Sequence, residues 1–203
     1  MIKPTLAHFL VLGLLALQPT ESIAGALDDD ELLCNSPYFS AAQKNDVPRL
    51  KALLLQGINV NEKSSEGFTA LICAADAGST DAARLLIENG ANPNNCTIDQ
   101  NHCPLWFAAM KNAPQIVELL IDKGAKLEEI NGWNGNTVLA WSVRTGKTDA
   151  ARVLVRKGAS LVPVIKKEYY GGKTALQLAK RDGHRAVVEL IEAAANKPLE
   201  PMR

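Results

Sequence analysis

The sequence has no surplus of either charge: 22 lysines and arginines face 22 aspartates and glutamates. Nucleic acids and anionic membranes select a basic excess or a basic stripe, and neither is favoured here as a partner. The nearest basic cluster, Lys166, Lys167 and Lys173 with Arg181 and Arg185, is diluted by Glu168 and Asp182 and reads as a solvated face. Phosphate-cradling loops are also missing. GKT at 146–148 and GGKTAL at 171–176 lack the G-x-x-x-x-G-K-[ST] spacing that such a loop needs after a strand. Histidine is scarce, at three in the chain. The cysteines form no C-x-x-C knuckle, which leaves little basis for zinc at Cys96, His102 and Cys103. A cysteine nucleophile needs a partner base; His102 beside Cys103 is the sole such pair, and it would require a free thiol. The acidic run Asp28, Asp29, Asp30 and Glu31 reads as a solvated tail rather than a calcium or glycosidase site. The expectation is a protein with no catalytic residues, no metal and no cofactor.

Long hydrophobic runs are lacking too. Leu6 to Leu17 is apolar except for His8, short of the roughly 20 residues that a spanning helix needs. Lys3 precedes it, Pro19 ends it, and the small residues Ser22, Ala24 and Ala26 follow. That is the layout of a secretory signal peptide rather than of an anchor. Cleavage after Ala24, preferred over Ala26, removes residues 1–24 and leaves an acidic segment at 25–33. Lys3 and Glu21 leave together, so the remaining chain stays formally neutral, and it is long enough for one domain with a substantial core. No stable membrane insertion is expected after cleavage.

What is abundant is repetition. A phrase of the form T-x-L-x-x-A-A recurs as SPYFSAA (36–42), TALICAA (69–75), CPLWFAA (103–109), TVLAWSV (137–143) and TALQLAK (174–180), at intervals of 33, 34, 34 and 37 residues. Each is followed by an apolar helix that closes on a glycine: Gly57, Gly90, Gly124 and Gly158. The last unit ends ELIEAAAN without that glycine, as a terminal cap does. In the second unit, Leu71, Ala74 and Ala75 give a small-residue face and Gly78 stops the helix. Asp81 then opens a second helix with the stripe Ala82, Leu85 and Leu86, and Gly90 suits a left-handed C-cap. Asn92, Asn94 and Asn95 suit a turn. No such unit buries its own apolar face, so the units must stack.

Period and wording resemble the ankyrin repeat over residues 34 to about 194. The resemblance implies an all-α solenoid of about five helix-turn-helix repeats with extended finger loops. The ankyrin domain then spans 34–196, with units near 34–66, 67–100, 101–134, 135–171 and 172–196, and a tail at 197–203. The signature histidine is replaced by Phe39, Ile72, Trp106, Ala140 and Gln177, which removes a side chain that ties turns together in the family. His184 matches the family's helix-turn histidine and is read as structural. Extra residues in LVPVIKKEYYGG (161–172) map to a loop.

An even number of cysteines in an exported chain permits disulfides. The four are Cys34, Cys73, Cys96 and Cys103. In the repeat register, Cys96 and Cys103 flank one finger and are expected to staple it. Cys34 and Cys73 are expected to pin the N-terminal cap, with Cys73 as a small buried hydrophobe the alternative.

In this architecture, fingers and first helices line a concave face. The column before each threonine position is Asn35, Phe68, His102, Asn136 and Lys173. Aromatic anchors concentrate binding energy, so the expected partner-binding residues are Phe68, His102, Trp106, Trp133, Asn136, Tyr169, Tyr170 and Lys173. Repeat packing is the alternative for Trp106 and Trp141, and cover over the last repeat for Tyr169 and Tyr170. A cleavable leader on ankyrin repeats is similar to the small periplasmic proteins of Gram-negative bacteria. That likeness implies a monomeric, periplasmic binding module for one protein partner, such as a toxin's immunity protein or an enzyme inhibitor. The other readings are a structural or chaperone-like envelope-protection factor, a secreted protein, or a thiol enzyme using Cys103 and His102.

Overall fold

The computed structural model describes residues 36–99, 101–129, 137–161 and 174–195. Residues 1–24, expected to be a signal segment, and Cys34, Trp133, Asn136, Tyr169, Tyr170 and Lys173 lie outside them. Among the described residues ten helices fall in five consecutive pairs: α1 (Pro37–Gln43) with α2 (Val47–Leu55), α3 (Ala70–Ala77) with α4 (Thr80–Glu88), α5 (Pro104–Met110) with α6 (Pro114–Asp122), α7 (Val138–Arg144) with α8 (Thr148–Arg156), and α9 (Ala175–Arg181) with α10 (Arg185–Ala195). The first helices pack in the row α1–α3–α5–α7–α9, and the second helices form a parallel row from α2 to α10. No β-sheet occurs among the described residues. The fold is an all-α solenoid of helix-turn-helix repeats.

A hydroxyl residue at the threonine position starts four of the five first helices. Ser36, Thr69, Thr137 and Thr174 hold extended backbone, and their hydroxyls accept the amides of Phe39, Ile72, Ala140 and Gln177 at 3.2–3.3 Å. This satisfies one of the amides that a helix start leaves orphaned. At Thr174 the cap is reciprocal, because Gln177 Oε1 accepts the Thr174 amide at 2.9 Å. The alanines let first helices approach closely, and α3 is buried from Ala70 to Ala75 between its neighbours α1 and α5.

The second helices are amphipathic, with one face inward. In α4 the buried residues are Ala82, Ala83, Leu86 and Ile87, while Leu85 is half-buried. The inward face is thus turned toward Ala83 and Ile87 relative to the expected stripe, and the helix begins at Thr80 rather than Asp81. Leu50, Leu71, Leu86, Ile116, Leu120 and Leu154 are among the fully buried side chains, each contributing about 1.5–3 kcal/mol. Gly90 follows the C-cap of α4 at φ 88°, a left-handed conformation in which a β-carbon is strained.

Between units, side chains bond to main chain in a fixed register. Four residues after the closing glycine stand Asn61, Asn94 and Glu128. Asn61 Nδ2 donates to the Gly90 carbonyl (3.0 Å) and its Oδ1 accepts the Asn92 amide (2.8 Å). Asn94 repeats this on Gly124 (2.9 Å) and Lys126 (3.0 Å), and Glu128 accepts the Ser160 amide (2.8 Å). A second set joins the helix turns. Asn45 and Asn112, both left-handed at φ 56° and 57°, accept the amides of Ala82 (2.9 Å) and Ala150 (3.0 Å) in the next unit. They thereby cap α4 and α8, whose own N-cap residues, Ser79 and Lys147, make no side-chain cap bond. Ser79 Oγ donates back to the Gln43 carbonyl (2.7 Å), and His184 Nε2 bonds the Arg144 carbonyl (2.9 Å). These contacts replace the ties lost with the signature histidines. An exposed ion-pair network on α6 and α8, in which Glu118 and Asp122 hold Arg156 and Lys157 at 2.6–3.3 Å, adds little by comparison.

The joint between the second and third units lacks a turn tie, because Gly78 and Ala113 occupy its positions and α6 has no side-chain cap. Gly78→Asn is expected to supply one: a β-carbon there meets only the Lys111 side chain, Cγ at 3.4 Å and Cε at 3.8 Å, and asparagine is among the residues with a β-carbon that best accept a left-handed φ such as 79°. Backbone strain offsets part of the new bond, so urea unfolding should show a gain of a few tenths of a kcal/mol, and a loss of similar size for Asn112→Gly. A destabilised Gly78→Asn protein would overturn this account of the joint.

Candidate partner-binding face

The finger between the second and third units, described at residues 91–99 and 101–103, lies on the expected face. A disulfide joins Cys96 to Cys103 across it, with Cα atoms 4.0 Å apart. Inside the staple, the Thr97 amide donates to the His102 carbonyl and the His102 amide to Thr97 Oγ1, both at 3.1 Å. Asn101 makes the turn at φ 51°. The preceding finger is bonded to it, since the Ile98 amide donates to the Glu66 carbonyl at 3.0 Å. Gly67 permits that approach. At φ 83° it is left-handed, and a β-carbon would stand 3.0 Å from Ile98 Cγ1 and 3.0 Å from its nitrogen. Ile98 itself is 70 % exposed.

Behind the finger lies an aromatic cluster. The His102 ring is stacked on Trp106 at 4.9 Å with 3° between planes, and meets Phe107 edge-on at 5.9 Å. Phe68 packs on Phe107 at 5.7 Å, and Trp106 on Trp141 at 5.3 Å. Phe68 and His102 are half-buried and border the finger surface. Trp106, expected as a binding anchor, is only 4 % exposed; sandwiched between His102 and Trp141, it is repeat packing. Conversely, Ile98 was overlooked by the sequence reading, although one apolar residue inside TIDQNH was the visible signal. Met110, at the end of α5, is 37 % exposed.

The chemistry of the face is that of a surface. Cys103 is disulfide-bonded, so it offers no thiolate beside His102. Cys73 is disulfide-bonded as well and fully buried in α3. No group of histidine, cysteine and acidic side chains suited to a metal occurs among the described residues. No described helix is long and apolar enough to cross a membrane. Burial holds the His102 imidazole below the ordinary histidine range and pushes the Tyr38 phenol well above its own, the latter helped by Glu62.

Stacked helix pairs with projecting loops define a repeat scaffold. The sequence matches the family model described as Ankyrin repeats (3 copies) over residues 38–131 and again over 105–200. The chain belongs to the ankyrin-repeat family, whose repeats serve as scaffolds for protein–protein interaction. It is similar to an ankyrin repeat protein of Acanthamoeba polyphaga mimivirus, at 30 % identity over 51 % of this chain and 13 % of the relative. It also resembles an ankyrin repeat and KH domain-containing protein of Caenorhabditis briggsae, at 33 % over 54 % of this chain and 4 % of the relative. E3 ubiquitin-protein ligase XBAT33 of Arabidopsis thaliana matches at 30 % over 64 % of this chain and 25 % of its own length. The chain therefore spans a quarter or less of these relatives, which are eukaryotic and viral. They support the family and not its bacterial, exported members.

The lowered His102 pKa has a stability consequence with a definite sign. The unfolded chain, with an imidazole pKa near about 6.5, takes up the proton more readily than the folded one. Stability is therefore intact above that value and falls as the pH drops through it. Between about pH 7.5 and about pH 5, the native protein should lose more stability in urea than His102→Phe, which keeps the ring stack. Equal losses in the two proteins would show that burial of this imidazole is not the cause.

Proposed function

We propose that the chain is an exported, periplasmic binding protein that holds one partner protein on its finger and first-helix face, acting as an immunity protein or inhibitor. The observation that carries the binding site is Ile98, a large apolar side chain held 70 % exposed on a stapled finger. A solitary exposed isoleucine is ordinary on a mobile loop. Here the amides of Thr97, Ile98 and His102 are hydrogen-bonded, and half-buried Phe68 and His102 border the same finger, so the contact is pre-organised and less ordering entropy remains to be lost on binding. With no reactive cluster of its own, such a face acts on its partner by covering or positioning it. Export is supported by the leader-like N-terminus and by disulfides at Cys96, Cys103 and Cys73, bonds that persist in oxidising compartments.

Affinity capture from the cell envelope with three baits tests the reading. The native bait should retain one near-stoichiometric partner, and Leu55→Ser, altered on a second helix, should retain it equally. A bait with Ile98→Glu and Phe68→Ala should lose at least about tenfold in affinity, as expected for an apolar anchor. Capture that is equal for all three baits would move the site off this finger. A further bait with Trp133, Tyr169 and Tyr170 changed to alanine asks whether the face continues onto the later loops. Intact mass of the envelope protein should correspond to residues 25–203; a retained leader would contradict export with cleavage.

A further inference from the structure

Four of the five first helices begin with a hydroxyl side chain that caps them, whereas the third begins with Cys103, which makes no side-chain cap bond. The cap has been exchanged for a covalent link to Cys96 seven residues earlier. The loop so closed carries Ile98 and His102. The hydrogen bonds described for it include Thr97 to His102, His102 to Thr97 Oγ1, Ile98 to Glu66, and the Asn101 side chain to Glu129 Oε1 at 3.2 Å. The helices on either side do not depend on it. Leu105 to Ala109 of α5 are buried in the shared core, and the neighbouring finger joint is made by Asn94 on Gly124 and Lys126. The sulfurs also differ in reach. Cys96 is half-buried near the surface, whereas Cys73 is fully buried in α3.

We propose that the Cys96–Cys103 disulfide is a thiol-sensitive latch, whose reduction frees the finger bearing Ile98 and His102 while the solenoid stays folded, and so disables the binding face. This rests on the reading of that finger as the binding face; the release of the loop itself does not. The co-reactant is a low-molecular-weight thiol. Its thiolate attacks Cys96 Sγ, the Sγ–Sγ bond breaks, and Cys103 leaves as a thiolate that takes up a proton. A second thiol then resolves the mixed disulfide. Two external thiols are oxidised to one disulfide, and their two electrons and two protons end on Cys96 and Cys103. The liberated Cys103 does not supply a good cap, because a thiol is a weak acceptor, so the third unit's helix start is left with neither disulfide nor cap.

The test needs no partner. The purified, oxidised protein is titrated with dithiothreitol under native conditions, alkylated and mapped by mass spectrometry, with amide exchange and far-ultraviolet dichroism followed in parallel. Cys96 and Cys103 should become alkylated at a lower thiol concentration than Cys73. The amides of Thr97, Ile98 and His102 should then exchange at least about tenfold faster, with helix content and the α3 and α7 amides unchanged. A variant with Cys96→Ser and Cys103→Thr, which restores the hydroxyl cap, should show no response of this loop to the reductant. Alkylation of Cys73 at the same or lower concentration, loss of helix at the first reduction step, or unchanged loop exchange would each overturn the latch. Failure to find a partner by capture would leave all of these readings intact, so the two ideas fall separately.

Discussion

The closing of one helix pair against the next is the interaction on which everything else in this protein rests. A pair such as α3 and α4 has too little inward surface to fold alone. Only when α3 lies between α1 and α5 do Leu71, Ile72, Cys73, Ala74 and Ala75 leave water together. The hydrophobic term is thus shared by neighbours rather than owned by a unit. This explains why small residues recur on the first helices: with Ala74, Ala75, Ala108 and Ala109 in the row, backbones come close enough for the larger leucines to interlock.

Burial drives the stack together, but it is non-directional and does not fix register. Register comes from polar groups at the two ends of each joint. At the fingers, Asn61, Asn94 and Glu128 each engage backbone of the following unit. At the helix turns, Asn45 and Asn112 reach forward, whereas Ser79 and His184 reach back. The joint between the second and third units has no turn tie. It has instead the disulfide-closed finger, the Ile98–Glu66 bond and the aromatic cluster from Phe68 to Trp141. Order at that joint is therefore concentrated on the finger side, which is also the side offered to a partner.

Much of this was legible because repeats announce themselves. The 33- and 34-residue intervals located the helix pairs, and Gly90 announced the left-handed end of a second helix, whereas the capping role of the threonine positions was not read from the phrase. The polar joints were harder to see. Asn94 stood out as a turn former, yet its partners Gly124 and Lys126 lie 30 and 32 residues away, and only alignment of Asn61, Asn94 and Glu128 at one register position would have exposed the pattern. Trp106 misled for a physical reason. A large aromatic at a position that the family gives to a polar ring looks like a surface feature, but here His102 stacks over it and Trp141 closes its other side. Orientation of a ring depends on its neighbours in other units, which local sequence does not report. Ile98 was missed for the opposite reason, since a single apolar residue in a polar loop is usually unremarkable.

The finger joints have a consequence for how such a chain can change over generations. Asn61 and Asn94 address a carbonyl and an amide of the next unit, atoms that every residue but proline supplies in full. A neighbour is accepted for the path of its backbone, whatever its side chains. A unit can then be copied, inserted or exchanged in the gene, and the unit before it will grip the newcomer without any compensating substitution. Loop residues remain free to diverge toward a new target while the joint stays the same. Among the described residues an exception is the finger closed by Cys96 and Cys103, where two positions must be inherited together.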